Sequence, residues 1–145
     1  MADTPDTIKI LSRTPLFQAL KQRQLERLSA RFAEREYQAD DAIVTQGKGG
    51  AGFFIIVSGK AEAVRVRADG SKTVLNPLGP TDFFGEMALL TDSVRTASVV
   101  ATEPTRCLVL TRWDFLAMLR EDSEMAVTIL QELAERFSRV MDMMS

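Results

Sequence analysis

The spacing of hydrophobic and polar positions changes twice along this chain and divides it into three segments. In the first, residues 1–33, apolar side chains recur at helical intervals, as Leu25, Leu28 and Phe32 do. A proline interrupts this segment, and proline cannot continue a helix. We therefore predict two short helices, over residues 5–13 and 20–33.

The middle segment, residues 34–111, has the alternation and the short apolar runs that are typical of β-strands. Val64–Arg67 alternates strictly, and the pair Asp69-Gly70 that follows it favours a tight hairpin turn. Further strands are predicted in the remaining apolar runs: Ala42–Val44, Phe53–Val57, Thr73–Leu75, Ala97–Ala101 and Cys107–Leu110. Many short strands with turns between them indicate a sandwich, barrel or jelly roll.

The last segment, residues 112–144, returns to helical spacing. Asp122 or Ser123 has the side chain to cap a helix there. The apolar stripe of this segment is formed by Met125, Ile129, Leu133, Phe137 and Val140. The order of helices, β-roll and helices predicts a single α+β domain over residues 1–145, the size of one ordinary domain.

Composition excludes much of enzyme chemistry, because the chain contains no histidine. Without histidine there is no Ser-His-Asp or Cys-His nucleophile, and the most frequent metal ligand is missing. Cys107 is the only cysteine, so neither an internal disulfide nor a cysteine zinc cluster can form. We therefore expect no catalytic residues and no metal site, and we expect a binding module instead of an enzyme.

Charge and hydropathy narrow the choice of partners. The net charge of −2 is unlike that of a dedicated nucleic-acid-binding protein, so we expect no direct binding to nucleic acid. The longest strongly apolar run, Phe53–Val57, is far shorter than the roughly 20 residues of a membrane-spanning helix. The polar, acidic beginning of the chain does not resemble a secretory signal. These features predict a cytoplasmic protein without a membrane span.

Residues 84–99 interrupt the strand pattern and carry the candidate chemistry. Glu86–Leu90 consists of good helix formers but is only about one helical turn long. The first N–H groups of such a turn favour an anion, and Gly85 allows the backbone to approach a ligand closely. Arg95 offers a planar fork to phosphate oxygens, whereas the Glu86 carboxylate suits a sugar hydroxyl. The pattern therefore indicates a compact sugar phosphate.

This segment resembles the phosphate-binding cassette of the cyclic nucleotide-binding domain family, which here spans residues 84–96. The resemblance extends over nearly the whole chain. Outside the cassette it rests on Leu16-Phe17, Leu20, Leu25 and Leu28 for the N-terminal helical motif, and on Gly47, Phe54–Ile56 and Ser58-Gly59 for the early strands. It implies an antiparallel β-roll or jelly-roll barrel flanked by N-terminal helices and two C-terminal helices.

The resemblance also implies the roles of individual residues. It places Glu86 on the ribose 2′-hydroxyl and Arg95 on the cyclic phosphate, and it gives Thr96 contacts with the phosphate and the purine. Arg136, on the last helix, stands where some family members cap the base. Backbone N–H groups complete the phosphate cradle at Gly85, Met87 and Ala88.

Each of these residues also has a plainer structural interpretation. Glu86 would suit the first turn of any helix as a solvated carboxylate, and Arg95 could pair with Asp92 on the surface. Thr96 could be an ordinary strand threonine. Arg136 could be a solvated partner of Glu132, one helical turn before it.

A basic stripe recurs every four residues near the N-terminus. We interpret it as a solvated helix face whose charge is relieved by Glu26 and Glu34, with an acidic partner surface as the alternative. The stripe consists of Arg23, Arg27, Arg31 and Arg35.

The function that the resemblance implies is that of a cyclic nucleotide sensor, most readily for cAMP, with cGMP as the alternative because Thr96 is compatible with both. Binding would order the cassette, repack Leu89 and Leu90 against a hinge around Trp113–Leu119, and move the last helix as a lid. An effector protein or effector domain would receive the signal. The competing interpretation is an interaction module in which the terminal apolar stripe pairs with another chain, a homodimer included, and nucleotide is incidental.

Overall fold

The computed structural model describes residues 4–48, 52–91 and 95–145, and it divides the chain into two compact units. The β unit contains residues 32–113 and includes every strand of the described ranges. The helical unit combines the chain up to Arg31 with Asp114–Ser145. The single domain over residues 1–145 stays a prediction.

The β unit consists of two antiparallel four-stranded sheets. The first has the order β1-β8-β3-β6, with β1 at Ala33–Tyr37, β8 at Thr105–Thr111, β3 at Gly52–Ser58 and β6 at Phe83–Phe84. The second has the order β2-β7-β4-β5, with β2 at Ala42–Val44, β7 at Ser98–Ala101, β4 at Ala61–Val66 and β5 at Lys72–Leu78. The predicted α+β class and antiparallel β-roll are confirmed.

Alternating residues of the strands form the core of the β unit. Phe54 and Ile56 of β3 pack with Cys107 and Val109 of β8, and they share this cluster with Ile43, Ala61, Val99 and Ala101. The apolar run of β3 is buried on both faces, as a continuous hydrophobic strand predicts. Burial also raises the pKa of the Cys107 thiol to about 11, which keeps it protonated at neutral pH.

Four α-helices complete the described part of the chain: α1 (Thr4–Arg13), α2 (Gln22–Ser29), α3 (Arg112–Glu121) and α4 (Ser123–Met144). In the helical unit Phe17 meets Phe115 edge-on, with ring centroids 5.8 Å apart. Asp122 separates α3 from α4 and caps the latter, because its side chain accepts a hydrogen bond from the Met125 N–H. The sequence named Asp122 as one of two candidate caps, and this cap is confirmed.

Two boundaries differ from the sequence prediction. The second helix ends at Ser29, not at residue 33, and Ala33 already begins β1. Phe32 leaves the helix and packs against Phe53, with ring centroids 6.1 Å apart. The charged side chains of β1 are exposed because it is an edge strand, so it lacks the apolar alternation that would have revealed it.

The basic stripe is not relieved by the residues that the sequence suggested. Arg27 pairs with Asp122 at 3.2 Å and Arg31 with Glu121 at 3.2 Å, both acids at the junction of α3 and α4. Arg35 lies on β1, and Glu34 pairs with Arg106 of β8. The interpretation as one solvated helix face was therefore wrong, since tertiary contacts, not helix neighbours, supply the counter-charges.

The apolar stripe of α4 is only partly a packing face. Met125 and Ile129 are buried, whereas Phe137 is 65% exposed and Val140 is 48% exposed. Across the described ranges no helix is long and apolar enough to span a membrane. Within the same ranges no cluster of three or more histidine, cysteine, aspartate or glutamate residues could hold a metal ion. The cytoplasmic location stays a prediction.

Candidate functional site

The candidate site is built on β6 and the short helix that follows it. Phe84 of β6 stacks on Phe54 of β3, with ring planes 5° apart and centroids 5.0 Å apart. Gly85 comes next, and Glu86–Leu89 forms a one-turn 3₁₀ helix. Leu89 is fully buried and anchors this turn. The short helix predicted for this segment is thus present, in its tighter form.

Gly85 is required here by its backbone and by its surroundings. Its φ of +88° lies in the left-handed region that favours glycine. A Cβ atom at this position would stand 2.6 Å from the Gly52 carbonyl oxygen and 2.8 Å from Nη1 of Arg95. Because backbone and guanidinium both approach this closely, any side chain at position 85 would displace Arg95.

Arg95 is half-buried and held in place by backbone contacts. Its Nη2 donates a 2.8 Å hydrogen bond to the Gly52 carbonyl. Burial lowers the pKa of the Arg95 guanidinium, but an arginine remains charged in a protein at neutral pH. Its Nε is buried, and no hydrogen-bond partner for it stands among the described residues. A half-buried cation with unused donors suits an anionic ligand.

One cavity of about 300 Å³ brings the predicted cassette residues together. Its volume is at the lower end of the range for small-molecule sites, roughly 300–1,000 Å³. The residues that line it are Gly85, Glu86, Met87, Ala88, Thr91, Arg95 and Thr96. Six of these seven were named from the sequence, and Asp92 lies outside the described residues.

Thr91 is the lining residue that sequence reasoning missed. Its hydroxyl donates to the Met87 carbonyl, at 3.4 Å, one turn earlier. The signal was available, since Thr91 stands within the cassette and its side chain can hydrogen-bond a backbone group nearby. The resemblance implies no ligand contact for this residue.

Among the described residues that line the cavity, the charged groups are one carboxylate and one guanidinium, from Glu86 and Arg95. The Ala88 N–H, predicted as part of a phosphate cradle, donates to the Gly85 carbonyl at 3.0 Å. A ligand phosphate that accepts a hydrogen bond from the Ala88 N–H must share this donor with the Gly85 carbonyl or displace that carbonyl. A cation that binds phosphate oxygens and a carboxylate that accepts from hydroxyls can together hold a sugar phosphate.

Arg136 does not line this cavity; it lies on α4 in the helical unit. Its suggested partner Glu132 is buried. Glu132 accepts a hydrogen bond from Nε2 of Gln18 and stands 3.9 Å from Arg139. The role of Arg136 at the base stays a prediction.

Comparison with known proteins identifies the family. The sequence pattern of the cyclic nucleotide-binding domain matches residues 34–122, more than half of the chain. The chain belongs to the cyclic nucleotide-binding domain family. The matched residues include the whole of the cavity lining, so the cyclic nucleotide-binding domain resemblance seen in the sequence is confirmed.

Two relatives of this cyclic nucleotide-binding domain have names that refer to cAMP. A cyclic AMP receptor protein of Thermus thermophilus is 36% identical over 85% of this chain and 57% of its own length. A cAMP-dependent protein kinase regulatory subunit of Mycosarcoma maydis is 40% identical over 71% of this chain and 20% of its own length. The chain therefore spans about half of the first relative and a fifth of the second.

A solved structure supports the same fold. The N-terminal domain of a transcriptional regulator from Streptomyces coelicolor superimposes with a TM-score of 0.82 and 29% sequence identity. The match covers 94% of this chain and 95% of that one. The β-roll and its helices thus occur together in a regulatory protein.

Proposed function

We propose that this chain is a sensor module that binds cAMP and passes the signal to an effector protein or effector domain. One observation carries the proposal. The Arg95 guanidinium and the Glu86 carboxylate line the same 300 Å³ cavity in a chain of the cyclic nucleotide-binding family. The names of the two relatives, a cyclic AMP receptor protein and a protein kinase regulatory subunit, support a signalling role.

In the proposed complex the two charged side chains of the cavity bind the two polar parts of the ribose phosphate, its cyclic phosphate and its 2′-hydroxyl. The cyclic phosphate accepts hydrogen bonds from Arg95, which already has its guanidinium fixed by one bond to Gly52. The ribose 2′-hydroxyl donates to Glu86. The backbone N–H groups of Gly85, Met87 and Ala88 face the phosphate, and the Ala88 N–H gives up part of its bond to Gly85.

The choice of cAMP over cGMP rests on the names of the two relatives, both of which refer to cAMP. Thr96 is exposed beside the cavity, and its hydroxyl could meet either purine. cGMP is therefore the alternative ligand, and the experiment must distinguish its binding from that of cAMP.

The proposed response is a movement of the terminal helices. The nucleotide must bind one arrangement of α4 better than another, because binding shifts a population only through such a difference. Leu89 and Leu90 transmit the ordering of the cassette to the segment Trp113–Leu119, and Arg136 then covers the base. Trp113 is the only tryptophan and is 67% exposed, so its fluorescence reports this movement.

Titration calorimetry with cAMP, cGMP and 2′-deoxy-cAMP tests the proposal. We expect cAMP to bind more tightly than cGMP. Loss of the 2′-hydroxyl should weaken binding at least about tenfold, because it leaves a carboxylate without its donor. With Glu86→Gln the difference between cAMP and the deoxy analogue should shrink. Equal affinity for all three nucleotides, or no binding at all, would contradict the proposal.

A second candidate function is self-association through α4, and one surface favours it. A seam on this helix follows the three- and four-residue steps of a coiled coil and is exposed along its whole length. The seam consists of Val127, Leu130, Ala134, Phe137, Met141 and Met144. It shares Phe137 with the stripe predicted from the sequence but leaves out Met125 and Ile129 of that stripe, which are buried.

The flanks of this seam suit a second copy of the same helix. The positions beside it are Gln131, Leu133, Ser138 and Val140, none of which is charged. Two identical helices could therefore meet without repulsion between like charges. Sedimentation with and without cAMP tests the alternative. A dimer that forms equally with and without cAMP would favour self-association if Phe137→Lys dissociates it and the off-seam control Met143→Lys does not. A monomer under all conditions would exclude self-association.

A further inference from the structure

Gln46 makes an unusual pair of side-chain hydrogen bonds outside the cavity. It stands in the turn after β2 and is half-buried. Its Nε2 donates to the Val66 carbonyl at 2.8 Å, and its Oε1 accepts from the Val66 N–H at 2.7 Å. The amide thus pairs with both backbone groups of the last residue of β4.

The geometry of the second sheet explains this pairing. β4 and β7 pair from Ala61 to Val64, and Val64 lies opposite Ser98. Val66 lies two residues beyond that last pair, so the Gln46 amide takes the place that a strand residue would occupy. The backbone N–H of Gln46 also donates to Oγ of Ser98 at 2.8 Å. Gln46 is therefore tied to β4 and to β7.

The turn that Gln46 fixes also holds the backbone of Arg95. The Gly47 N–H donates to the Arg95 carbonyl at 2.8 Å, and the Arg95 N–H donates to the Lys48 carbonyl at 2.8 Å. Both backbone groups of Arg95 are thus bonded to the two residues that follow Gln46. Hydrogen bonds thus tie Val66 to Gln46, and the next two residues of the chain are hydrogen-bonded to the backbone of Arg95.

We propose that Gln46 is a positioning residue that holds Arg95 ready for the phosphate, an inference that rests on the proposed function. Gln46 does not line the cavity, so it acts through the backbone of Arg95 and not on the ligand. Holding a binding group in its bound geometry before the ligand arrives lowers the entropic cost of binding. Arg95 is restrained at its backbone by this turn and at its guanidinium by Gly52.

Calorimetry on three variants tests the effect on affinity. Gln46→Met keeps the length of the side chain and removes both amide hydrogen bonds, and Gln46→Ala removes the side chain. Both should raise the Kd for cAMP about tenfold, the effect of one or two ordinary hydrogen bonds. Gln38→Ala, at an exposed glutamine of the same unit, is the matched control and should leave the Kd unchanged. Wild-type affinity in Gln46→Met would overturn the inference.

Amide hydrogen exchange of the nucleotide-free protein separates positioning from general stability. In Gln46→Met the amides of Gly47 and Arg95 should exchange faster, while those of β3 and β8 keep their wild-type rates. If the amides of Gly47, Arg95, β3 and β8 all exchanged faster by the same factor, Gln46 would have a general structural role. That result would overturn the inference. If wild-type protein binds no cyclic nucleotide, the proposed function fails, and the exchange pattern still decides whether Gln46 restrains Arg95.

Discussion

Nη2 of Arg95 donates a 2.8 Å hydrogen bond to the carbonyl oxygen of Gly52, which holds the guanidinium against the β unit. A guanidinium has five N–H donors, and one bond to Gly52 leaves others for a phosphate. The bond joins the end of the cassette to the beginning of β3, whose first five residues are buried. The cation of the candidate site is thus anchored on the core of the β unit.

We expect Arg95→Ala to remove most of the affinity for cyclic nucleotide. The phosphate would lose its charged partner, which costs about 2–3 kcal/mol, or roughly 30- to 150-fold in Kd. Calorimetry with cAMP measures the loss. Arg67→Ala, at an exposed arginine of the β4–β5 hairpin, is the control for a lost positive charge. Unchanged affinity in Arg95→Ala would remove Arg95 from the site.

Gly85→Ala and Gly70→Ala form a matched pair. Both glycines have nearly the same positive φ, +88° and +87°, but only Gly85 has neighbours within 4 Å of a new Cβ. Gly70→Ala should therefore cost only the backbone strain, about 1–2 kcal/mol of unfolding free energy. Gly85→Ala should cost more and should also weaken cAMP binding, because the methyl group displaces Arg95.

Urea unfolding and calorimetry on both variants check this pair. Equal losses of stability, with wild-type affinity in Gly85→Ala, would mean that the close approach of Arg95 to Gly85 has no consequence.

The sequence could predict the cassette because its chemistry is local. Gly85, Glu86 and Arg95 stand within eleven residues, and the turn that brings them together depends on this short segment and its glycine. The strands with apolar runs were predictable for a similar reason. Burial of a strand requires a recognisable pattern of apolar residues, and that pattern can be read from the segment alone.

What escaped prediction depends on residues far apart in the chain. The pairing of Gln46 with Val66 joins positions 20 residues apart, and Arg27 meets Asp122 across 95 residues. Neither contact leaves a pattern in either segment alone. β1 was missed because an edge strand with exposed charged side chains has no apolar period, and β6 has only two residues.

The thiol of Cys107 should be unreactive in the folded protein. It is fully buried, and burial raises its pKa to about 11, so almost no thiolate forms at pH 7–8. A disulfide-exchange reagent should therefore modify it only as fast as the protein opens, and promptly in denaturant. Modification of folded protein at the rate of an exposed thiol would contradict the packing of β8.

Asp122 should make the stability of α4 depend on pH below about 4. Its carboxylate accepts the Met125 N–H at 3.0 Å and lies 3.2 Å from Arg27. The backbone hydrogen bond from Met125 is the main cause that lowers the pKa of Asp122 in the folded state, and the charge of Arg27 adds to it. The unfolded carboxyl has a pKa of about 3.9. The charged group therefore stabilises the fold fully above that pH, and its contribution is lost as the pH falls through the lowered folded value.

At pH 7 we expect Asp122→Ala to lower the free energy of unfolding by about 1 kcal/mol, the usual value of a helix cap, and Asp122→Asn to lower it less, since an amide oxygen still caps. Urea unfolding between pH 7 and pH 3 measures both. The difference between wild type and Asp122→Asn should narrow as the pH falls below about 4, because protonation removes the negative charge that the asparagine also lacks. Asp142→Asn, at the exposed far end of α4, controls for the loss of one charge. A wild-type advantage over Asp122→Asn that is the same at pH 3 as at pH 7 would mean that the charge of Asp122 plays no part in holding the start of α4.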